Sequence, residues 1–487
     1  MSKEIILTNG TVAIEAEYKE QLIEEFNNPY IQVLPDIIPK EQIVNELLFK
    51  PKIKKDELAL PKEFKLNILP RIYKVFQPLP LHIEIWNMIN SLIRQGYIAR
   101  NPINPLFKRY SNKLGNEILN KTYNLDADEN FRTTAQCGLL IGVSGMGKST
   151  TVQRVLSKIP PVIVHNEYQN INFSQIQVTW IKLEAPANGS IKSLTLQFFS
   201  KLDSLLGTNN MERYVSKHLS VDAMIPIMGQ LANNIGLGLL VVDELQHLDK
   251  GAKQVMNYFV ALMNSFGVPL LLIGTPASYS MLQQEMRIAR RVTGSGAIIF
   301  NSMKNDREFE IFIKGIWKYQ WLSKPVKLTK EIINIFYEKT QGICDLVVKL
   351  FVNIQKRLIE KEIEELDLEL INSVWNKEFT VLQPMISAIK SNNKVKKMRF
   401  EDIQEIEDGK ISCKNITETN VKEKLKKLEV AEQRITKRNK IKISELDDSD
   451  IRKIVIEGKE DNISEYQALK SKGIIVNFDE ILGDEEL

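Results

Sequence analysis

Gly142-Val143-Ser144-Gly145-Met146-Gly147-Lys148-Ser149 decides the reading of this chain: it is a complete G-x-x-x-x-G-K-[ST] phosphate-binding loop. An apolar run, 137–141, precedes it, and a helix-like stretch beginning at Thr150 and Thr151 follows. That is the strand, loop and helix context the motif requires. Its glycines allow successive backbone N–H groups to wrap a β-phosphate at a helix N-terminus, which already favours anions. Lys148 adds a positive charge for the β- and γ-phosphates, and Ser149 a hydroxyl for Mg2+. Residues Gly142 to Thr150 are therefore the expected ATP-binding segment.

A second motif lies downstream. Leu239-Leu240-Val241-Val242-Asp243-Glu244 is an apolar strand ending in two carboxylates. Asp243 is placed to reach the Mg2+ held by Ser149, and Glu244 to orient and deprotonate the attacking water. The next apolar run, 269–273, ends in Gly274-Thr275-Pro276, which makes Thr275 the candidate sensor of the γ-phosphate. Further on stand Arg287, Arg290 and Arg291. Arginine suits a developing phosphoryl charge, being planar, always charged and rich in donors. Supplied by a neighbouring subunit, one of them would couple hydrolysis to assembly.

Around these motifs, runs at 138–141, 178–183, 237–242, 269–273 and 297–300 read as buried strands. Helical stretches separate most of them, which predicts a P-loop α/β fold with a parallel sheet covered on both faces. Ser190 is a plausible cap for the helix after the second strand. Residues 330–360 read as two helices joined at Gln341-Gly342, with the glycine as C-cap, forming a helical lid. Eight prolines between 29 and 80 predict an irregular N-terminal segment with no long helix before Leu81. The segment 82–97 has helical apolar spacing, with Gly96 as its stop. The expected organisation is an N-terminal extension (1–110), an ATPase core (111–325), the lid (326–382) and a charged tail (383–487). The tail reads as a partner-binding segment with short helices and an apolar hook at 473–478.

Composition narrows the class. At 487 residues the chain exceeds one core, and 43% apolar with 26% charged residues is ordinary for a globular protein. A net charge of +4 neither demands nor excludes nucleic acid. Three dispersed cysteines argue for a reducing compartment and against a metal site. No signal-peptide pattern and no apolar run of ~20 residues is present, so a cytoplasmic location without membrane association is expected.

Together, the phosphate loop, the Asp243-Glu244 strand end, Ile273-Gly274-Thr275 and the A-R-R-V-T-G-S-G run at 289–296 resemble TnsC, the AAA+ regulator of Tns-type bacterial DNA transposons, related to TniB and to initiator-type ATPases. The segment 183–192 and the lid's Gly342-Ile343-Cys344-Asp345-Leu346 are also similar, so the resemblance spans about residues 80 to 360. It implies an AAA+ regulator that binds ATP and assembles as a ring or filament on duplex DNA. It further implies a target selector of the TnsD or TniQ type, docked before residue 110, and a TnsB-like transposase with TnsA-like subunits at the C-terminal tail. Within 187–192, a helix start beside Lys192 is a ready phosphate contact. Asn188, Ser190 and Lys192, with Lys182 as a lesser candidate, are the expected sequence-independent DNA contacts. Two departures stand out: the lid lacks the arginine many AAA+ lids carry, and Thr275 replaces a common asparagine. Both predict slow hydrolysis. The competing readings are an initiator-type or signalling AAA+ ATPase, and a nucleotide-gated scaffold without turnover, against which Glu244 argues.

Overall fold

The computed structural model describes residues 3–120, 132–215, 220–278, 295–363, 365–390, 406–407, 410–411, 447, 450–461, 463–472 and 474. The chain divides into two compact units, Met1–Cys413 and Lys414–Leu487.

The first unit opens with a hairpin, β1 (Glu4–Ile6) and β2 (Val12–Glu15), followed by helices α1 (Pro29–Gln32), α2 (Lys40–Leu47), α3 (Lys62–Ile68), α4 (Pro80–Ala99) and α5 (Pro105–Leu119). Next come β3 (Cys137–Gly142), α6 (Lys148–Leu156), β4 (Val162–Tyr168), β5 (Ile171–Val178), β6 (Trp180–Glu184), α7 (Ile191–Leu206), α8 (Asn210–Val215) and α9 (Val221–Asn234). After these stand β7 (Leu239–Asp243), α10 (Ala252–Phe266), β8 (Leu270–Gly274), β9 (Ala297–Phe300) and α11 (Arg307–Trp317). Helices α12 (Lys330–Thr340), α13 (Cys344–Lys361), α14 (Leu368–Glu378) and α15 (Gln383–Lys390) follow.

The five apolar runs form one five-stranded sheet in the order β6-β7-β8-β3-β9, and every neighbouring pair is parallel. Alternation along each strand divides two cores. Leu140, Val241 and Ile273 face α4, α6 and the lid, whereas Leu139, Val242 and Leu272 face α7, α9 and α10. A sheet buried on both sides needs such continuous apolar strands. The fold is a P-loop AAA+ fold with a parallel sheet flanked by helices.

Several local expectations are corrected. Gly96 does not stop its helix, and α4 runs on to Ala99. The missing Cβ there admits Pro269, whose Cγ would lie 2.2 Å from it. Val178 belongs to β5 and not to the following strand: at Thr179 the chain changes sheets, its N–H donating to Pro161 O at 3.0 Å. In the lid it is Gln341 (φ 51°) that caps α12, and Gly342 (φ 72°) lies against the backbone of Met303.

The N-terminal residues are built into the first unit. Strand β2 pairs in parallel with β4, completing a second sheet in the order β1-β2-β4-β5. The guanidinium of Arg154 on α6 donates to Leu47 O at 3.0 Å, at the C-terminal end of α2. Of the predicted tail, α15 packs Ile386 and Ala388 inward, and Lys390 pairs with Glu338 at 2.8 Å. The second unit contributes α16 (Ile451–Glu460) and α17 (Glu465–Ser471), with Ile454 and Ala468 buried. The predicted hook lies outside the described residues, Ile474 apart. No described helix is long and apolar enough to cross a membrane.

Candidate functional site

The sheet's topology places β3 inside the sheet, so its C-terminal end opens between β8 and β9. There the loop 143–147 leads into α6. Gly145 and Gly147 take φ of 81° and 87°, a region L side chains rarely adopt. A Cβ on Gly142 would lie 2.1 Å from Phe300 O, so only glycine lets β9 pass this close. A Cβ added at Gly147 would meet no atom beyond its chain neighbours within 4 Å, leaving space where a phosphate would sit. Lys148 is buried, and its Nζ donates to Gly142 O at 2.6 Å and Val143 O at 3.0 Å. The ammonium thus rests on the loop's own carbonyls.

These residues open onto a cavity of about 350 Å³ that also takes in Asp243, Glu244, Gly274 and Thr275. The loop, the strand-end carboxylates and the sensor candidate are brought together in one space. Ser149 and Asp243 share this cavity, and a hydroxyl beside a carboxylate is an oxygen set suited to Mg2+.

Asp243 is buried, and each carboxylate oxygen has a partner. Oδ1 accepts from Glu244 N at 3.0 Å, and Oδ2 pairs with Lys182 Nζ at 2.8 Å. Lys182 is therefore turned towards the nucleotide side. Glu244 is exposed and adopts φ 59°, a left-handed conformation uncommon for this residue type and typical of functional turns. Gln246 spans the turn: its Nε2 donates to Glu244 Oε2, and its Oε1 accepts from Thr275 N at 3.2 Å. Gln246 is absent from the sequence reading, although its position two residues after Glu244 is the available signal. Among the described residues, the buried Oγ1 of Thr275 and Oγ of Ser278 have no hydrogen-bond partner, which leaves Thr275 with unused capacity at the cavity wall.

The opposite wall was not foreseen. Ile72, Val75, Phe76 and His82, all from the N-terminal segment, line the cavity with Phe312. His82 Nδ1 accepts from Leu79 N at 3.1 Å, and burial pushes the imidazole pKa down to about 4, so the ring is neutral. The lid contributes Cys344, Asp345 and Val348, and Asp345 N donates to Gly145 O at 3.0 Å. The Asp345 carboxylate is paired with Lys349 at 2.6 Å. Burial pushes the Cys344 thiol up to about 12, which keeps it protonated.

The segment 185–192 leaves the end of β6 beside Asp243, with Ala185 N donating to Asp243 O at 2.8 Å and Ala185 O 3.2 Å from His247 Nδ1. Gly189 turns at φ 66°, Asn188 Oδ1 accepts from Ser190 N at 3.1 Å, and Ser190 Oγ caps α7 by accepting from Ser193 N. Asn188 and Lys192 are exposed. Arg287, Arg290 and Arg291 lie outside the described residues.

Residues 131–282 match a family described as an AAA domain. No curated protein matches the chain. Among solved structures, the chain is similar to the Aeropyrum pernix ORC1 protein in complex with DNA, at 14% identity and TM-score 0.36, over 58% of this chain and 68% of that one. Domain III of the Thermotoga maritima replication initiation protein DnaA matches at 12% identity and TM-score 0.30, over 56% and 92% of the two chains. Drosophila ORC bound to DNA matches at 11% identity and TM-score 0.32, over 81% of each. Fold and site together define a AAA+ nucleotide-binding domain, a class whose characteristic cofactors are ATP and Mg2+.

Proposed function

We propose that the protein is an ATP-dependent, DNA-binding regulator of DNA transposition. It oligomerises on duplex target DNA and links a TnsD/TniQ-like target selector to TnsB-like and TnsA-like transposase subunits, and ATP hydrolysis sets assembly and disassembly. The observation that carries this reading is the bond from Ala185 to Asp243. Through it, the exposed loop of Asn188, Ser190 and Lys192 is continuous with the strand end that holds the hydrolytic carboxylates.

In the proposed reaction, Glu244 accepts a proton from water as the water oxygen bonds to the γ-phosphorus, the bond to the bridging oxygen breaks, and ADP leaves. Lys148 and the loop N–H groups neutralise the phosphates, and Thr275 Oγ1 donates to the γ-phosphate or the water. Mg2+, held by Ser149 and Asp243, would neutralise the β- and γ-oxygens. One of Arg287, Arg290 and Arg291 would serve a neighbouring subunit. With no arginine in the lid stretch Gly342-Ile343-Cys344-Asp345, turnover is expected to be slow without partner proteins.

The test is to incubate the full chain with duplex DNA and ATP, ADP or a non-hydrolysable analogue, and to image it by electron microscopy. Assemblies on DNA with triphosphate only are expected. Glu244→Gln should lower phosphate release by at least ~100-fold while leaving those assemblies intact. Lys192→Glu should weaken DNA binding and flatten its salt dependence by about one unit of slope. Monomers in every condition would overturn the DNA reading and favour an initiator-type or signalling ATPase.

A further inference from the structure

On the far side of the lid from the nucleotide cavity, α3 lies against the C-terminal end of α13, and a separate cavity of about 400 Å³ opens between them. Lys62, Lys65 and Lys324 line it, with Glu362 as the one acid among its lining residues. Lys65 is 8% exposed, and its ammonium has no ion pair or hydrogen bond among the described residues. Lys62 faces Glu362 across 3.4 Å, but both side chains are largely in water, so this pair holds neither firmly. Lys324 has an interaction of its own, and the case therefore rests on Lys62 and Lys65.

A lysine with a buried stem keeps its charge by extending the ammonium into water or onto an anion. The Lys65 stem is buried while its ammonium reaches a space lined by three lysines and one carboxylate, where an anion would meet more positive than negative charge. We propose that this cavity is a second ligand site, for a small phosphorylated molecule. Lysine binds phosphate as a point charge, and apolar side chains of α13 offer a wall for the rest of the ligand. The volume falls within the ~300–1,000 Å³ of small-molecule pockets. Its walls come from the N-terminal segment and from the helix whose other end bonds to the phosphate loop through Asp345. An occupant would thus clamp the lid to the N-terminal segment.

The test is calorimetric titration of the full chain with inorganic pyrophosphate, without Mg2+. The wild type is expected to show two sites. Lys148→Ala should leave one, and adding Lys65→Met should weaken that one by at least ~10-fold. No binding to Lys148→Ala, or a residual site indifferent to Lys65→Met, would overturn the proposal. Should Lys65→Met fail to fold, Lys62→Gln is expected to weaken the residual site and Glu362→Gln to tighten it. No change in either would overturn the proposal. Displacement of pyrophosphate from the Lys148→Ala protein by short duplex DNA would overturn the small-molecule assignment.

Discussion

Replacing Lys182 by methionine tests how Asp243, the carboxylate proposed to hold Mg2+, is itself held. Lys182 Nζ lies 2.8 Å from Asp243 Oδ2, with the two side chains 20% and 6% exposed. Removing one partner of a fully buried pair costs about 3–5 kcal/mol, chiefly because the other charge is stranded. Here water reaches the lysine, and Asp243 keeps the Glu244 N–H, so about 2 kcal/mol is the expected loss. In a unit of this size that lowers the melting temperature by a few degrees. A divalent cation bound by Asp243 would replace the lost charge, and the ammonium would no longer oppose it. Two unit charges ~4 Å apart near a surface interact by about 4 kcal/mol, so even a fraction of that relieved repulsion tightens Mg2+ at least ~10-fold. The assay is thermal unfolding of wild type and Lys182→Met at fixed nucleotide across a Mg2+ titration. The deficit of the variant should shrink as Mg2+ rises and close at lower Mg2+ than the wild type needs. A deficit that Mg2+ leaves untouched would refute the argument. Weakened DNA binding with no change in Mg2+ dependence would return Lys182 to the DNA contacts expected from the sequence.

Two glycines with the same backbone sign should behave differently. At Gly342 (φ 72°) a Cβ would fall 2.1 Å from Met303 O, so Gly342→Ala adds a backbone clash to about 1 kcal/mol of left-handed strain. It should destabilise the lid by about 3 kcal/mol or more in chemical unfolding and weaken nucleotide binding. Gly147 (φ 87°) faces open space, so Gly147→Ala should cost only about 1 kcal/mol of stability while still impairing nucleotide binding. Acid sensitivity should trace to buried imidazoles. His165 sits between Tyr18 OH at 2.7 Å and Gln177 Oε1 at 2.9 Å, and burial pushes its pKa down to about 4. The unfolded chain therefore binds more protons between pH ~6.5 and ~4. The stabilisation is complete above the unfolded value and is lost as pH falls towards the folded one, up to about 3 kcal/mol per group. His165→Gln should flatten that limb of a stability–pH curve, and an unchanged slope would remove His165 as its source.

What the sequence disclosed follows from the range over which each feature is encoded. The five core strands are contiguous apolar runs because both faces of a parallel sheet are covered, and each run carries that signal by itself. The phosphate loop is equally local, since its glycines and its lysine fall within nine residues of backbone. Strands β4 and β5 were missed for the opposite reason. Their buried positions include His165 and Gln177, polar residues made tolerable by Tyr18 and Tyr30 from the far N-terminus. Nothing within 162–178 announces those partners. The prolines between 29 and 80 were read correctly as barring long helices. They could not reveal that the irregular chain they produce would form a wall of the nucleotide cavity through Ile72, Val75 and Phe76.

The same distinction separates the proposed catalytic groups from the groups that hold them. Asp243 and Glu244 are legible because a strand end presents them wherever the strand goes. Lys182 and Gln246 act on them through register and turn geometry, which only the assembled sheet defines: Glu184 lies opposite Asp243 across β6 and β7, and this sets Lys182 beside the carboxylate. Gln246 reaches Thr275 only because β7 and β8 end side by side. In the structure Lys148, Asp243 and Glu244 are each held by a partner within the chain. Bound nucleotide must therefore exchange contacts as well as form them, and the strength of Lys182 and Gln246 as holders sets how readily the site passes to its working arrangement.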